Sequence, residues 1–137
     1  MRGSDFRLGN YFYSALTLSV ITGILPNKIA FKYVNEKDEQ HAELDRFGLK
    51  FITIDGNWLS KLGFKKQDYN IYMLDNVFVY IPNDGKPELF ILTPEYHEKI
   101  FLLNLDFLHE LQNVYFYLKR KELVLKVKKR DSRDRYL

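Results

Sequence analysis

Cysteine is absent from this 137-residue sequence, which excludes a disulfide framework and any thiolate metal site and fits a reducing cytoplasm better than a small secreted scaffold. Imidazoles are scarce: His41, His97 and His109 are the three in the chain. No Gly-x-Ser-x-Gly elbow, phosphate-cradling glycine loop or dinucleotide fingerprint occurs, so none of the common local signatures of a nucleophile or nucleotide site is present. The nearest approach to a metal motif is His109-Glu110-Leu111-Gln112-Asn113. A helical His-Glu-x-x-His site needs a second imidazole at position 113, and asparagine stands there. The expectation is therefore no metal, no cofactor and no enzymatic activity.

Charge is missing between Leu8 and Pro26, with Arg2 and Arg7 ahead of the gap, a pattern that raises a signal peptide or a membrane span. Asn10, Ser14, Thr17, Ser19 and Thr22 interrupt that stretch, and its alternation is that of a strand. The expectation is a soluble cytoplasmic protein without a membrane partner. Met1-Arg2-Gly3-Ser4 resembles the start of an expression tag and is set aside.

What the chain does contain is core material. Hydrophobic residues make up 46% and aromatics 16%, well outside the low-hydrophobicity, high-charge regime of disordered chains. A length of 137 residues suits one domain, here 1–127, because a split would leave two very small cores. Net charge is divided by position: residues 119–137 carry +6, and the first 118 carry −3. A mildly acidic body with a basic end favours polyanions or acidic protein surfaces as partners.

Along the chain, Phe6–Tyr13 reads as a first strand. Alternation from Ala15 to Ile21 places Leu16, Leu18 and Val20 on one face of a second. After a turn at Leu25-Pro26-Asn27-Lys28, a third strand runs from Lys28 to Val34 with Ile29, Phe31 and Tyr33 on one side. The acidic stretch Asn35–Asp45 reads as an exposed loop or short helix. Leu49–Ile54 is a further strand leading into a short helix, capped by Asp55 and ended by Gly63, that points Trp58, Leu59 and Leu62 inward. Tyr69–Leu74, Asn76–Ile81, Glu88–Thr93 and Lys99–Leu103 are short strand-like runs, with a hairpin around Asp84-Gly85. Asn104 or Asp106 is expected to cap the clearest helix, whose buried stripe is Leu105, Leu108, Leu111, Tyr115 and Leu118. Glu122–Val127 alternates as a last, edge strand, and 128–137 reads as a flexible basic tail. The fold class is α+β: an antiparallel β-rich domain, barrel-like closure included among its options, with one short helix and one longer C-terminal helix.

Three stretches together resemble a group of short proteins encoded by phages and prophages of Bacteroidetes bacteria. They are Phe6-Arg7-Leu8-Gly9-Asn10-Tyr11 with Val20-Ile21-Thr22-Gly23-Ile24; Ile52 through Phe64; and His109-Glu110-Leu111-Gln112-Asn113-Val114-Tyr115-Phe116-Tyr117-Leu118. The last is the most specific. Where the group tends to carry Thr-Gly ahead of the final strand, this chain has Lys119-Arg120, and its basic tail is longer. The resemblance implies a mobile-element accessory protein. By analogy with small phage proteins that block host nucleases, CRISPR effectors among them, it suggests counter-defence, an anti-CRISPR role included.

The candidate binding residues for nucleic acid or a protein partner are Lys119, Arg120, Lys121, Lys126, Lys128, Lys129, Arg130, Arg133 and Arg135, whose cations would release counterions from RNA or DNA. His109, Gln112 and Asn113 are polar groups on the last helix, placed either to fix it against neighbouring backbone or to touch a partner. Tyr11, Phe12, Tyr13, Tyr69, Tyr72, Phe78 and Tyr80 are divided between core packing and a surface that stacks unpaired bases. The leading expectation is a phage-derived inhibitor that binds a host nuclease or nucleoprotein and its guide RNA. A structural or assembly component of a phage particle, using strand edges and aromatics in homo-oligomeric contact, and a nucleic-acid-binding regulatory protein are the alternatives.

Overall fold

The computed structural model describes residues 6–26, 28–43, 49–93, 95 and 97–126. The fold is α+β, two antiparallel sheets with two helices, and the sheets stay open rather than closing into a barrel.

The first sheet begins later than the sequence suggests. Gly9 takes φ +88° and the Arg7 carbonyl accepts from the Asn10 N–H at 3.0 Å, so a turn breaks the expected strand. β1 is then Tyr11–Ser14 and β2 is Thr17–Ile24. The two residues between them, Ala15 and Leu16, have φ 49° and 69°, so this tight hairpin turn uses left-handed backbone without glycine or asparagine. Leu16 consequently leaves the face of Leu18 and Val20 and is 83% exposed.

Register pairs Tyr11 with Val20 and Tyr13 with Leu18, and Phe12 with Ser19. Both faces of this sheet are packed: Phe12 and Ile21 join Phe6, Ile29 and Phe31 in one cluster, while Tyr11, Tyr13, Leu18 and Val20 contribute to the larger core. β3, Lys28–Tyr33, places Ile29, Phe31 and Tyr33 in the smaller cluster, as its alternation predicts. The acidic stretch is not a loop or helix throughout, because Glu39–Glu43 forms β4. An edge strand tolerates charge, and register sets Lys32 opposite Glu39, opposite-sign positions that favour the pairing. A two-residue β5, Leu49–Lys50, adds to the far edge against β1, giving the order β4-β3-β2-β1-β5.

The expected strand through Ile54 stops at Lys50, and 51–55 join no ladder. Ile52 and Ile54 are nonetheless buried, and the Ile52 carbonyl accepts from Leu108 N–H at 2.7 Å. Helix α1, Gly56–Lys61, is capped as expected by Asp55, whose side chain accepts from Trp58 N–H. At its end Gly63 takes φ +99°, and the Phe64 and Gly63 N–H groups donate to the carbonyls of Leu59 and Ser60, the paired bonds of a Schellman motif. Trp58, Leu59 and Leu62 are buried.

The second sheet is a five-stranded meander, order β10-β9-β8-β7-β6. Its strands are β6 (Lys65–Asp68), β7 (Ile71–Leu74), β8 (Val77–Tyr80), β9 (Glu88–Leu92) and β10 (Lys99–Asn104). Period 2 divides its faces: Val77, Val79 and Leu89 are fully buried against the larger core, leaving Phe78, Tyr80 and Phe90 on the opposite side. The Asp84-Gly85 hairpin joins β8 and β9 as expected.

Helix α2, Leu108–Lys119, has Phe107 at its N-cap, not Asn104 or Asp106. Asn104 lies in β10 opposite Glu88. In place of a side-chain cap, the first helical N–H, that of Leu108, donates to the Ile52 carbonyl, while Glu110 reaches back and accepts from the Asp106 and Phe107 N–H groups, both at 2.7 Å. Leu105, Leu108 and Leu111 are fully buried and Tyr115 is 3% exposed, whereas Leu118 is 40% exposed and falls off the expected stripe. Each buried leucine of that stripe contributes about 1.5–3 kcal/mol relative to an exposed one. Beyond α2, residues 122–126 form no strand. Their alternation survives, with Leu123 buried and Val124 exposed, but their polar groups bond to side chains and to α1 instead of to a ladder.

Candidate interaction surfaces

The polar residues of the last helix converge on the two ends of the described chain. Gln112, fully buried, accepts from Tyr11 N–H at 2.9 Å and donates to the carbonyls of Gly9 at 3.0 Å and Leu123 at 3.1 Å. One carboxamide thus fastens β1, α2 and the C-terminal stretch. Asn113 accepts from Asn10 Nδ2 at 2.8 Å and from Arg7 Nε at 3.1 Å. Arg7 also donates to both carboxylate oxygens of Glu122 and lies 4.3 Å from the centroid of the Phe116 ring. The Tyr11 hydroxyl accepts from Leu125 N–H, and the Lys61 carbonyl accepts from Lys126 N–H at 2.7 Å. His109, 2% exposed, sits among the rings of Phe6, Phe51 and Phe107.

Gln112 and His109 are therefore interior groups and not partner contacts: burial removes them from any docking surface, and Asn113 belongs to the same clamp. Residues 6–11 and 109–118 meet in this clamp, and the fold accounts for the polar side chains of both.

The basic candidates separate into two places. The Lys119 ammonium donates to Asn76 Oδ1 at 2.9 Å, at the turn between β7 and β8. There the Asp75 carboxylate accepts from the Tyr115 hydroxyl at 2.7 Å. That bond, with the nearby charges of Lys119 and Lys121, holds the Asp75 pKa below the ordinary carboxylate value, and burial followed by Asp75 itself raises that of Tyr115. Arg120 takes φ 56° as the left-handed end of α2; Arg120 and Lys121 are exposed. Lys126 is exposed at the other place, its stem lying beside Gly63 at the end of α1. Lys128, Lys129, Arg130, Arg133 and Arg135 lie outside the described residues, as does the rest of the expected tail.

The aromatic candidates divide as well. Tyr11 and Phe12 are buried; Tyr13 and Tyr72 pack against the larger core; Tyr69 is 67% exposed on a turn. Phe78 and Tyr80 line the outer face of the second sheet, together with Phe90 and Phe101, which sequence reading left among ordinary strand residues. Period 2 along β9 and β10 carried the signal, but only strand order shows that the rings meet. Register aligns Met73, Phe78, Phe90 and Phe101 in one row across β7, β8, β9 and β10. Beside it a cavity of about 270 Å³ is lined by Ile71, Phe78, Tyr80, Glu88, Phe90 and Lys99.

Among the described residues, no group of three or more His, Asp or Glu side chains is placed to hold a metal ion, and no helix is long and apolar enough to cross a membrane. Comparison with known proteins finds no matching family model, curated protein or solved structure.

Proposed function

We propose that this chain is a non-catalytic, phage- or prophage-derived inhibitor that binds a host nucleoprotein, such as a CRISPR nuclease carrying its guide RNA, through its basic end. The observation that supports this reading is the exit of α2. The helix closes on a left-handed Arg120, and Arg120 and Lys121 project as exposed cations where the +6 segment begins. Phosphate contacts need no base specificity and no catalytic group, only accessible cations. The polar residues that suggested chemistry on α2, meanwhile, are committed to holding the fold together.

The test is RNA affinity against salt concentration, for the full chain, for a chain lacking residues 128–137, and for Arg120→Gln with Lys121→Gln. Each cation that contacts a phosphate lowers the magnitude of the log–log slope by about 1 when removed. A slope unchanged by all of these variants removes the basic end from the mechanism. Unimpaired target cleavage by a guide-loaded nuclease in the presence of saturating protein removes that class of partner.

A further inference from the structure

We infer that the outer face of the second sheet is a stacking platform for the unpaired bases of a single-stranded nucleic acid. The inference rests on the nucleoprotein reading and names the part of the partner that this face would take.

The face is built from four neighbouring strands. Phe78 pairs in register with Phe90, and Phe90 with Phe101, so three rings stand side by side on β8, β9 and β10; the last two have centroids 5.4 Å apart at 67°. Tyr80 stands next to Phe78 on the same side of β8, opposite Ile71 and Glu88. A core-facing row would be covered, yet Phe101 is 49% exposed, and the 270 Å³ cavity opens between Phe78, Tyr80 and Phe90. Aromatic rings presented on antiparallel strands provide stacking that every base can use, because every base has a π-face.

Charge decides which occupant this face fits best. The row ends at its β6 edge in Lys65, which pairs with Met73. From the opposite edge strand, β10, Lys99 reaches inward, and its ammonium lies 5.1 Å from the Phe78 centroid. Two cations therefore share this face with the rings, one at its β6 edge and one over its centre, where phosphates of a bound strand could meet them. Lys99 covers Phe78, which is 8% exposed, and its flexible four-carbon stem lets it exchange the ring for a phosphate. Glu88, the acid lining the cavity, supplies an acceptor for the exocyclic amine of a base. The charged groups named on this face are two lysines against one glutamate, a balance that suits a polyanion better than a second copy of the same face.

The experiment is fluorescence anisotropy with a labelled 12-nucleotide oligoadenylate and an abasic strand of the same length and charge. The proteins are the full chain, Phe101→Ala and Lys99→Gln, each checked for an unchanged thermal midpoint. The full chain is expected to bind the oligoadenylate more tightly than the abasic strand. Phe101→Ala is expected to erase most of that difference, a loss of roughly 5- to 150-fold, the effect of one lost stacking contact. Lys99→Gln weakens both strands.

Equal binding of the two strands by the full chain, or an unaffected Phe101→Ala, overturns the platform while leaving the basic-end reading to its own salt-slope test. A concentration-dependent dimer of the full chain that Phe101→Ala dissolves also overturns it, since the face then belongs to a second copy. Base-dependent binding with a salt slope indifferent to residues 119–137 sustains the platform and defeats the basic end. Binding of neither strand defeats both.

Discussion

The Arg7 guanidinium donates to both carboxylate oxygens of Glu122, 115 residues away along the chain, and its central carbon lies over the Phe116 ring at the same time. The pair joins the first described turn to the segment after α2. Next to it Gln112, with no exposed surface, makes three hydrogen bonds to backbone groups of Gly9, Tyr11 and Leu123.

Gln112→Ala should be the most damaging single change in the clamp. It leaves one N–H and two carbonyls buried without their partner, at about 1–3 kcal/mol for each group left unsatisfied. Urea unfolding should show a total loss of roughly 3–5 kcal/mol, the lower part of that sum because the Gly9 bond is only part-buried. Arg7→Ala and Glu122→Ala should couple far more weakly in a double-mutant cycle, by about 1 kcal/mol and less at high salt, because the pair is partly open to solvent.

The turn at Ala15-Leu16 should be improvable. Both residues sit at positive φ, and Leu16 is almost fully exposed, so replacing the pair with Asn-Gly relieves strain without removing a core contact. An increase in stability of about 1–2 kcal/mol is expected from chemical denaturation.

Arg120→Gly should separate stability from binding. Glycine adopts the left-handed end of α2 without a Cβ penalty, so stability should rise by about 0.5–1 kcal/mol. If the cation contacts phosphate, RNA affinity and the salt slope should fall in the same protein, and thermal melting beside a salt titration measures both.

Tyr115 and Asp75 predict the pH dependence. Asp75 titrates below its unfolded value, so its contribution is present above about pH 4 and is lost as pH falls through the folded pKa. Tyr115 titrates above its unfolded value. Its contribution is complete below about pH 10 and is lost as pH rises beyond that, when the unfolded chain ionises first. Tyr115→Phe should flatten both limbs of stability against pH relative to the parent chain. Unfolding curves at pH 3–5 and 9.5–11.5 give the comparison.

Much of this architecture follows from local pattern. Asp55, Gly63 and the inward face of Trp58, Leu59 and Leu62 are read from caps and spacing, and the stripe of α2 from its 3–4 period. What pattern missed depended on pairing in space. Acidic β4 is a strand because β3 lies beside it, and β6, Lys65–Asp68, was overlooked because its four exposed residues carry no apolar alternation. Leu16 was misplaced because neither Ala15 nor Leu16 announces a left-handed turn. Residues 122–126 alternate like a strand, but a buried glutamine and a tyrosine hydroxyl take bonds that a neighbouring strand would have supplied. The basic end was visible as charge, whereas its division between the β7–β8 turn and the end of α1 was not. The aromatic face of the second sheet was the least legible feature, since Phe78, Tyr80, Phe90 and Phe101, on three separate strands, become one surface only through register.

The fastening of Gly9 and Leu123 by a single carboxamide also sets a schedule. During synthesis the residues around Gly9 leave the ribosome first, yet their lock is incomplete until Leu123 has followed, more than a hundred residues later. Until then the Tyr11 N–H lacks its glutamine partner and the face of the first hairpin that joins the larger core is incompletely covered, the interval in which a nascent chain is most exposed to wrong partners. Translation of residues 122–126, rather than formation of either sheet, is the event that closes this clamp.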